Sequence, residues 1–308
     1  MARVGLGSAP MNLPSLRPAL RALGAALLLA ALPALAEGPT EPHDRLIAGT
    51  WTVGRVSPIG FDQQVSLTFK ERIGDSEDLL FKTRSWQVGV MGAYNPANWS
   101  ARVEAMVEPV AFFQLRAAYD VRGFFGIFGA LLSTNDGNWN ICTACVDAAN
   151  MTSDFPGFVQ GVTVEPALQA ALGPFVFRNT FGFEFTVWNL HNGDRFVYDP
   201  GPDLLRAAQG WTLTETATLG YLGSHLFAGV QYIWVNPVDL PSQRQHRVAA
   251  LAAWTFYDRG VQHGLFNKPT LVAVAFWNIV KDHDRDFTIV AGFASESDLL
   301  GLFGAAPK

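Results

Sequence analysis

The sequence predicts an all-β fold: an antiparallel up-and-down transmembrane β-barrel of about 12 strands, preceded by a cleaved signal peptide. Three observations carry that prediction. Ions and bulky apolar groups alternate with period two, the alternation recurs from segment to segment, and no stretch is apolar for long enough to cross a bilayer as a helix. Residues 98 to 122 show the alternation most clearly. Trp99, Ala101, Val103, Ala105 and Val107 share one side, and Ser100, Arg102, Glu104, Met106 and Glu108 the other. Phe113, Leu115, Ala117, Tyr119 and Val121 then alternate with Gln114, Arg116, Ala118, Asp120 and Arg122. Successive side chains of a strand point to opposite faces, so each segment has a greasy face and an ionic one.

In chain order, strands are expected at 46–55, 62–71 and 81–94, the first and third weakly patterned, and then at 99–109 and 111–123, the pair just described. In 158–171, Val162, Val164, Leu168 and Ala170 oppose Thr163, Glu165, Gln169 and Ala171. In 175–188, Phe175, Phe177, Phe181, Phe183, Phe185 and Val187 oppose Val176, Arg178, Thr180, Gly182, Glu184 and Thr186. In 211–221, Trp211, Leu213, Ala217, Leu219 and Tyr221 oppose Thr212, Thr214, Thr216, Thr218 and Gly220, with Glu215 breaking the apolar row. A bulge, a shallow position or a neutral carboxyl would each accommodate Glu215. Segments 226–236, 247–257, 269–280 and 286–295 complete the set. Pro166 inside a strand calls for a bulge. Gly123 to Leu132 reads either as an extension of the fifth strand or as a short helix against the barrel.

Connectors alternate between short (108–111, 172–174, 222–225) and long (133–157, 189–210, 236–246), the asymmetry of a barrel with tight turns at one rim and loops at the other. Aromatic residues gather near strand ends, as interfacial girdles do: Trp86, Tyr94, Trp99, Phe112, Phe113, Trp188, Trp211, Tyr221, Tyr232, Trp234, Trp254, Tyr257 and Trp277.

Residues 1–36 contain no acidic group. Arg17 and Arg21 precede the apolar run Ala25 to Leu32, and Ala34-Leu35-Ala36 offers the small residues that a signal peptidase requires, so cleavage is expected between Ala36 and Glu37. Loss of Arg3, Arg17 and Arg21 leaves 19 basic against 27 acidic residues, a formal charge of −8. That balance argues against nucleic acid as a partner. Cys142 and Cys145, the only cysteines, stand in a polar loop and read as a local disulfide after export.

Energy decides which face meets lipid. An arginine held at the bilayer midplane costs about 2–4 kcal/mol, so several together would exceed the stability of a domain. The charged faces must therefore look inward. The expected lumen lining is Arg102, Glu104, Glu108, Arg116, Asp120, Arg122, Glu165, Arg178 and Glu184. With both signs present, such a lumen can cross-link itself.

On the signal, the dyad strands, the loop asymmetry and the aromatic girdles, residues 46–295 resemble the Gram-negative outer-membrane β-barrels as a class, of an uncharacterised, porin-like kind. The resemblance implies an N-terminal periplasmic segment at 37–45, a C-terminal tail at 296–308 and residence in the outer membrane. Outer-membrane lipid and lipopolysaccharide, the barrel-insertion machinery and small solutes are the implied partners, with no cofactor. Such proteins usually end on an aromatic residue, whereas here Phe293 is followed by 15 more residues and Phe303 is not terminal.

The function expected is that of a small passive channel or a structural surface protein. A lipid-modifying, phospholipase-like enzyme and a soluble periplasmic β-protein are the alternatives. His191-Asn192-Gly193 approaches the phospholipase motif but lacks its serine, and Ser224-His225 puts adjacent residues on opposite faces. No catalytic or metal site is assigned. Lys281 to Asp286 reads as a solvated hairpin tip rather than a cation site, and Asp194, Asp199 and Asp203 lack the spacing of a calcium loop.

Overall fold

A computed structural model describes residues 44–56, 60–74, 76, 78, 80–127, 131–137, 152–153, 155–190, 193–199, 202, 204–257, 268–279 and 287–299. The expected signal, Cys142 and Cys145, His191, Asp203 and the Lys281 to Asp286 loop lie outside these residues. Strands β1 (Asp44–Val56), β2 (Gly60–Arg72), β3 (Ser85–Tyr94), β4 (Asn98–Val110) and β5 (Phe113–Phe125) are followed by the short β6 (Leu132–Thr134) and β7 (Thr152–Ser153). Next come β8 (Pro156–Leu172), β9 (Phe175–Asn189), the short β10 (Phe196–Asp199) and β11 (Leu204–Ala207), and β12 (Gln209–Leu222). The last four are β13 (Leu226–Pro237), β14 (Gln245–Thr255), β15 (Thr270–Asn278) and β16 (Phe287–Asp298).

The twelve long strands form one closed antiparallel barrel, sealed where β1 pairs with β16 from Ile47 opposite Asp298 to Val56 opposite Ile289. Residues directly opposite in an antiparallel ladder share a face, so the pairing carries each strand's two faces around the cylinder. Val103, Tyr119, Val162 and Phe185 stand in one such row. The outer wall is apolar and uncovered: Val103 is 58 % exposed, Val230 54 %, Phe183 43 % and Phe181 37 %. A soluble monomer does not leave so much contiguous apolar surface in water, whereas hydrocarbon accepts it. The chain is thus an up-and-down transmembrane barrel. Aromatic pairs flank the belt at both ends, among them Tyr94 with Phe125, Phe185 with Trp211 and Trp277 with Phe287 at one rim, and Phe69 with Trp86 and Phe175 with Tyr221 at the other. Trp188 departs from this arrangement: it is buried on the inner side and stacks on Phe124.

One rim holds Asp44 and Asp298 and is called the terminal rim; the opposite one is the far rim. From β4 to β14 the connectors are short at the terminal rim and long at the far rim. Elsewhere that rule fails for local reasons. Residues 95–97 make a tight far-rim turn because the Asn95 side-chain oxygen accepts from the Ala97 and Asn98 amides at 2.9 and 2.8 Å. Residues 73–84 form a long terminal-rim connector because Asp78 stops the strand early. Its side chain accepts from the Leu80 amide at 3.0 Å and its carbonyl from the Phe81 and Lys82 amides, so β3 starts at Ser85 rather than at 81. At the 173–174 turn, Gly173 takes φ +57°, a conformation strained for any residue with a Cβ.

Pro166 needs no bulge, because it pairs with Leu115 in unbroken register. The irregularity falls at Pro109 instead, where the β4–β5 register slips between Val107 and Val110, consistent with a ring that cannot donate to the ladder. The fifth strand extends to Phe125, and β6 follows from Leu132. β16 runs on to Asp298, beyond the expected end at 295.

Candidate functional site

The two long far-rim connectors build a second structure. β6 and β7 come from 126–155 and β10 and β11 from 190–208, and they form a four-stranded sheet in the order β11-β10-β6-β7. Strands this short cannot stand alone. They are held against the barrel's inner wall by a cluster in which Val197 packs with Phe124 of β5, Val159 of β8 and Trp188 of β9. A second cluster joins Tyr198 and Leu205 to Leu240 of the β13–β14 connector. Val197, Leu204 and Leu205 are fully buried.

The charged side chains join sheet to barrel. Arg206 of β11 lies 2.5 Å from Glu184 of β9 and 3.1 Å from Asp199 of β10, and Arg122 of β5 lies 3.6 Å from Asp199. Burial works to lower the Arg206 pKa, but the charges of Asp199 and Glu184, with Asp120 beyond them, outweigh it and raise the value above the ordinary one. Across the mouth, the Arg247 guanidinium of β14 donates to the Pro202 carbonyl in the β10–β11 turn and, at 3.0 Å, to Asn278 of β15. The β10–β11 hairpin therefore reaches from the β5–β9 wall to the β14–β15 wall.

Below this cap, the β4–β9 side carries an ionic ladder on the face turned away from Val103 and Tyr119. Arg116 sits between Glu104, at 3.4 Å, and Glu165, which accepts from its Nε at 2.5 Å. Arg102 lies 3.6 Å from Asp120, and Gln114 donates to Glu108 at 2.8 Å. Seven of the nine charged positions singled out in the sequence thus stand in ion pairs along this wall or with the cap, and Glu108 is met by Gln114. Arg178 stands apart, exposed near the terminal rim beside Thr180.

The opposite side of the same lumen is different in kind. Among the described residues, the inner faces of β13 to β16 and β1 present Ile233, Leu251, Val272, Val274, Phe276, Val290, Val53 and Trp51, all half-buried. The register sets Leu251 beside Val274 and Val274 beside Val290, with Val272, Gly292 and Val53 in the next row. Their outward neighbours Val230, Trp254, Leu271 and Ile289 are exposed, so these strands are apolar on both faces. The sequence carried a signal for this, since residues 248–254 and 271–277 are apolar at every position and so show no contrast between faces.

The outer wall has polar pairs of its own. Glu215 is not on a bulge: it keeps register with Phe181 and Trp234 and accepts from Asn179 Nδ2 at 3.2 Å. Tyr232 Oη and His246 Nδ1 are 2.7 Å apart. Among the other candidates, Asp194 accepts from Ser133 at 2.5 Å and Asn135 at 2.9 Å, and Asp199 is engaged by two arginines. Ser224 and His225 lie in a tight turn, where His225 Nδ1 meets the Thr255 carbonyl at 3.0 Å.

No protein-family model matches the chain, and no curated protein matches it. Solved structures that are similar include the NanC porin, with a TM-score of 0.41 and 8 % identity over 82 % of this chain and 98 % of that one. Others are the β domain of the Bordetella autotransporter BrkA, at 0.41 and 10 % over 82 % and 98 %, and Omp33 of Acinetobacter baumannii, at 0.36 and 9 % over 85 % and 100 %. These are likenesses of barrel shape, and they transfer no substrate, partner or activity to this chain.

Proposed function

We propose that the protein is a narrow channel for small solutes in the outer membrane of a Gram-negative bacterium, its far-rim mouth restricted by the β10–β11 hairpin. In this reading the signal-like residues 1–36 direct export, the termini lie in the periplasm and the lipid-facing belt meets outer-membrane lipid and lipopolysaccharide after the insertion machinery has acted. The observation that carries it is the Arg206 contact: a cationic side chain on an inserted hairpin, held between carboxylates of the hairpin and of the barrel wall. The tie across the mouth is Arg247 of β14, whose guanidinium donates to the Pro202 carbonyl of the same hairpin, so the hairpin is pinned at both walls.

Selectivity in the open state would come from the ionic ladder. Because Arg116 sits between two carboxylates, Arg116→Ala leaves Glu104 and Glu165 uncompensated and should move the channel toward cations, whereas Glu104→Ala keeps the Arg116–Glu165 pair and should move it less. The test is planar-bilayer recording. Small or intermittent steps are expected from the wild type and larger, longer ones from Arg206→Ala. Silence from both proteins, once folded, would overturn the proposal.

A further inference from the structure

We infer that the apolar wall of the lumen is a binding surface for a small anionic amphiphile, such as a medium-chain carboxylate. The inference deepens the channel reading by naming its substrate class. Nothing about the bilayer requires the inner face of a transmembrane strand to be apolar; lumen positions are free to be polar, and below the cap on β4, β5, β8 and β9 the ionic ladder shows it. Leu251, Val274, Val290, Val272 and Val53 nevertheless form contiguous rows that line the lumen without being sealed. A barrel of this strand number is wider than the eight-stranded kind that side chains alone can fill, and narrower than the porins of about 16–18 strands, a bore suited to one small molecule rather than to a polypeptide domain.

Charge selects the head group. Among the described inner-face positions of β13, β14 and β15 the single charge is Arg247, at the far-rim margin of the apolar rows. Arg55 of β1 stands opposite Val290 on the same side, and the one carboxylate beside these rows at that rim, Asp62 of β2, faces Val53 and accepts from Gln64, leaving the two guanidinium groups in excess among the described residues there. An alkyl chain laid along Leu251 and Val274 would bring its carboxylate toward these guanidinium groups, and the polar ladder would face the ligand's other flank. Entry past the cap and departure over apolar rows suit a molecule with one charged end.

Photolabelling with a diazirine-bearing octanoate, on the full-length protein refolded into lipid vesicles, tests this without reliance on conductance. Strand alternation makes the readout unambiguous, because inward Leu251 and Val274 are adjacent in sequence to outward Ala250, Ala252, Ala273 and Ala275. Saturable labelling of Leu251, Val274 and Val290, displaced by excess octanoate but not by acetate, is expected. Leu251→Asn with Val274→Asn should weaken displacement roughly tenfold while heat-modifiable migration on a gel persists. Label confined to the outward alanines, where lipid delivers it, or absent from the lumen because the chain's own residues cover the wall, would overturn the inference. Conductance recorded on the same samples separates the two claims: inner-wall labelling in a silent barrel supports the binding surface and counts against the channel.

Discussion

Glu215 shows how a single residue can break a pattern without breaking a strand. On the lipid-facing side of β12 its carboxyl is met by Asn179 from the neighbouring strand, so the polar group enters the belt already hydrogen-bonded. An unmet polar group in hydrocarbon costs several kcal/mol, and the pairing removes much of that. Sequence alone could not supply this partner, which lies 36 residues away. Adjacent positions on β13 measure the two environments directly. Val230→Arg, outward, should cost about 2–4 kcal/mol in a urea titration of folding into lipid vesicles, and Gln231→Arg, inward, less than about 1 kcal/mol. Equal costs would mean that the faces are assigned wrongly. Arg206 sits at the other extreme. Replacing it with alanine takes the partner from half-buried Glu184 and leaves buried Asp199 with Arg122 alone, a loss expected to fall below the about 3–5 kcal/mol of a fully broken buried pair. The hairpin should then become cleavable by added protease while the barrel stays intact.

At the scale of the element, the long strands were legible and the short ones were not, for one physical reason. Lipid imposes an apolar residue on every second position of a spanning strand, and nine or more residues give that rule room to repeat; β6, β7, β10 and β11 have two to four residues, and what places them is packing such as that of Val197 on Phe124, Val159 and Trp188 and of Leu205 on Leu240. The ladder around Arg116 was readable because charge alternated against bulk. The apolar wall was not, because both faces of β14 and β15 satisfy the same hydrophobic criterion. Deleting Arg195 to Ala207 with a short glycine bridge should therefore enlarge single-channel conductance and leave heat-modifiable migration unchanged. Loss of that migration would make the hairpin part of the barrel's framework rather than its cap.

For the whole molecule, closure depends on residues that are far apart in the chain. The seam between β1 and β16 joins positions separated by about 250 residues, as in the Thr50–Ser295 hydroxyl contact at 3.1 Å. Such contacts form late, because loop closure must precede them. A chain ending at residue 286 lacks β16 and leaves two unpaired edges, so it should show no heat-modifiable form and should aggregate in vesicle refolding. A truncated chain that still migrated as a folded barrel would point to a smaller closed barrel.

The same strands that give the lumen its apolar wall set a condition on biogenesis. Before insertion, the central rows of β14 and β15 have no polar face to turn toward water, so this part of the chain meets the aqueous compartment with both faces apolar. β15 also pairs with β16, which closes the seam to β1, so this part must stay competent until the barrel shuts. The chain should for that reason depend more heavily on a holding chaperone than a barrel of equal size with a wholly polar bore.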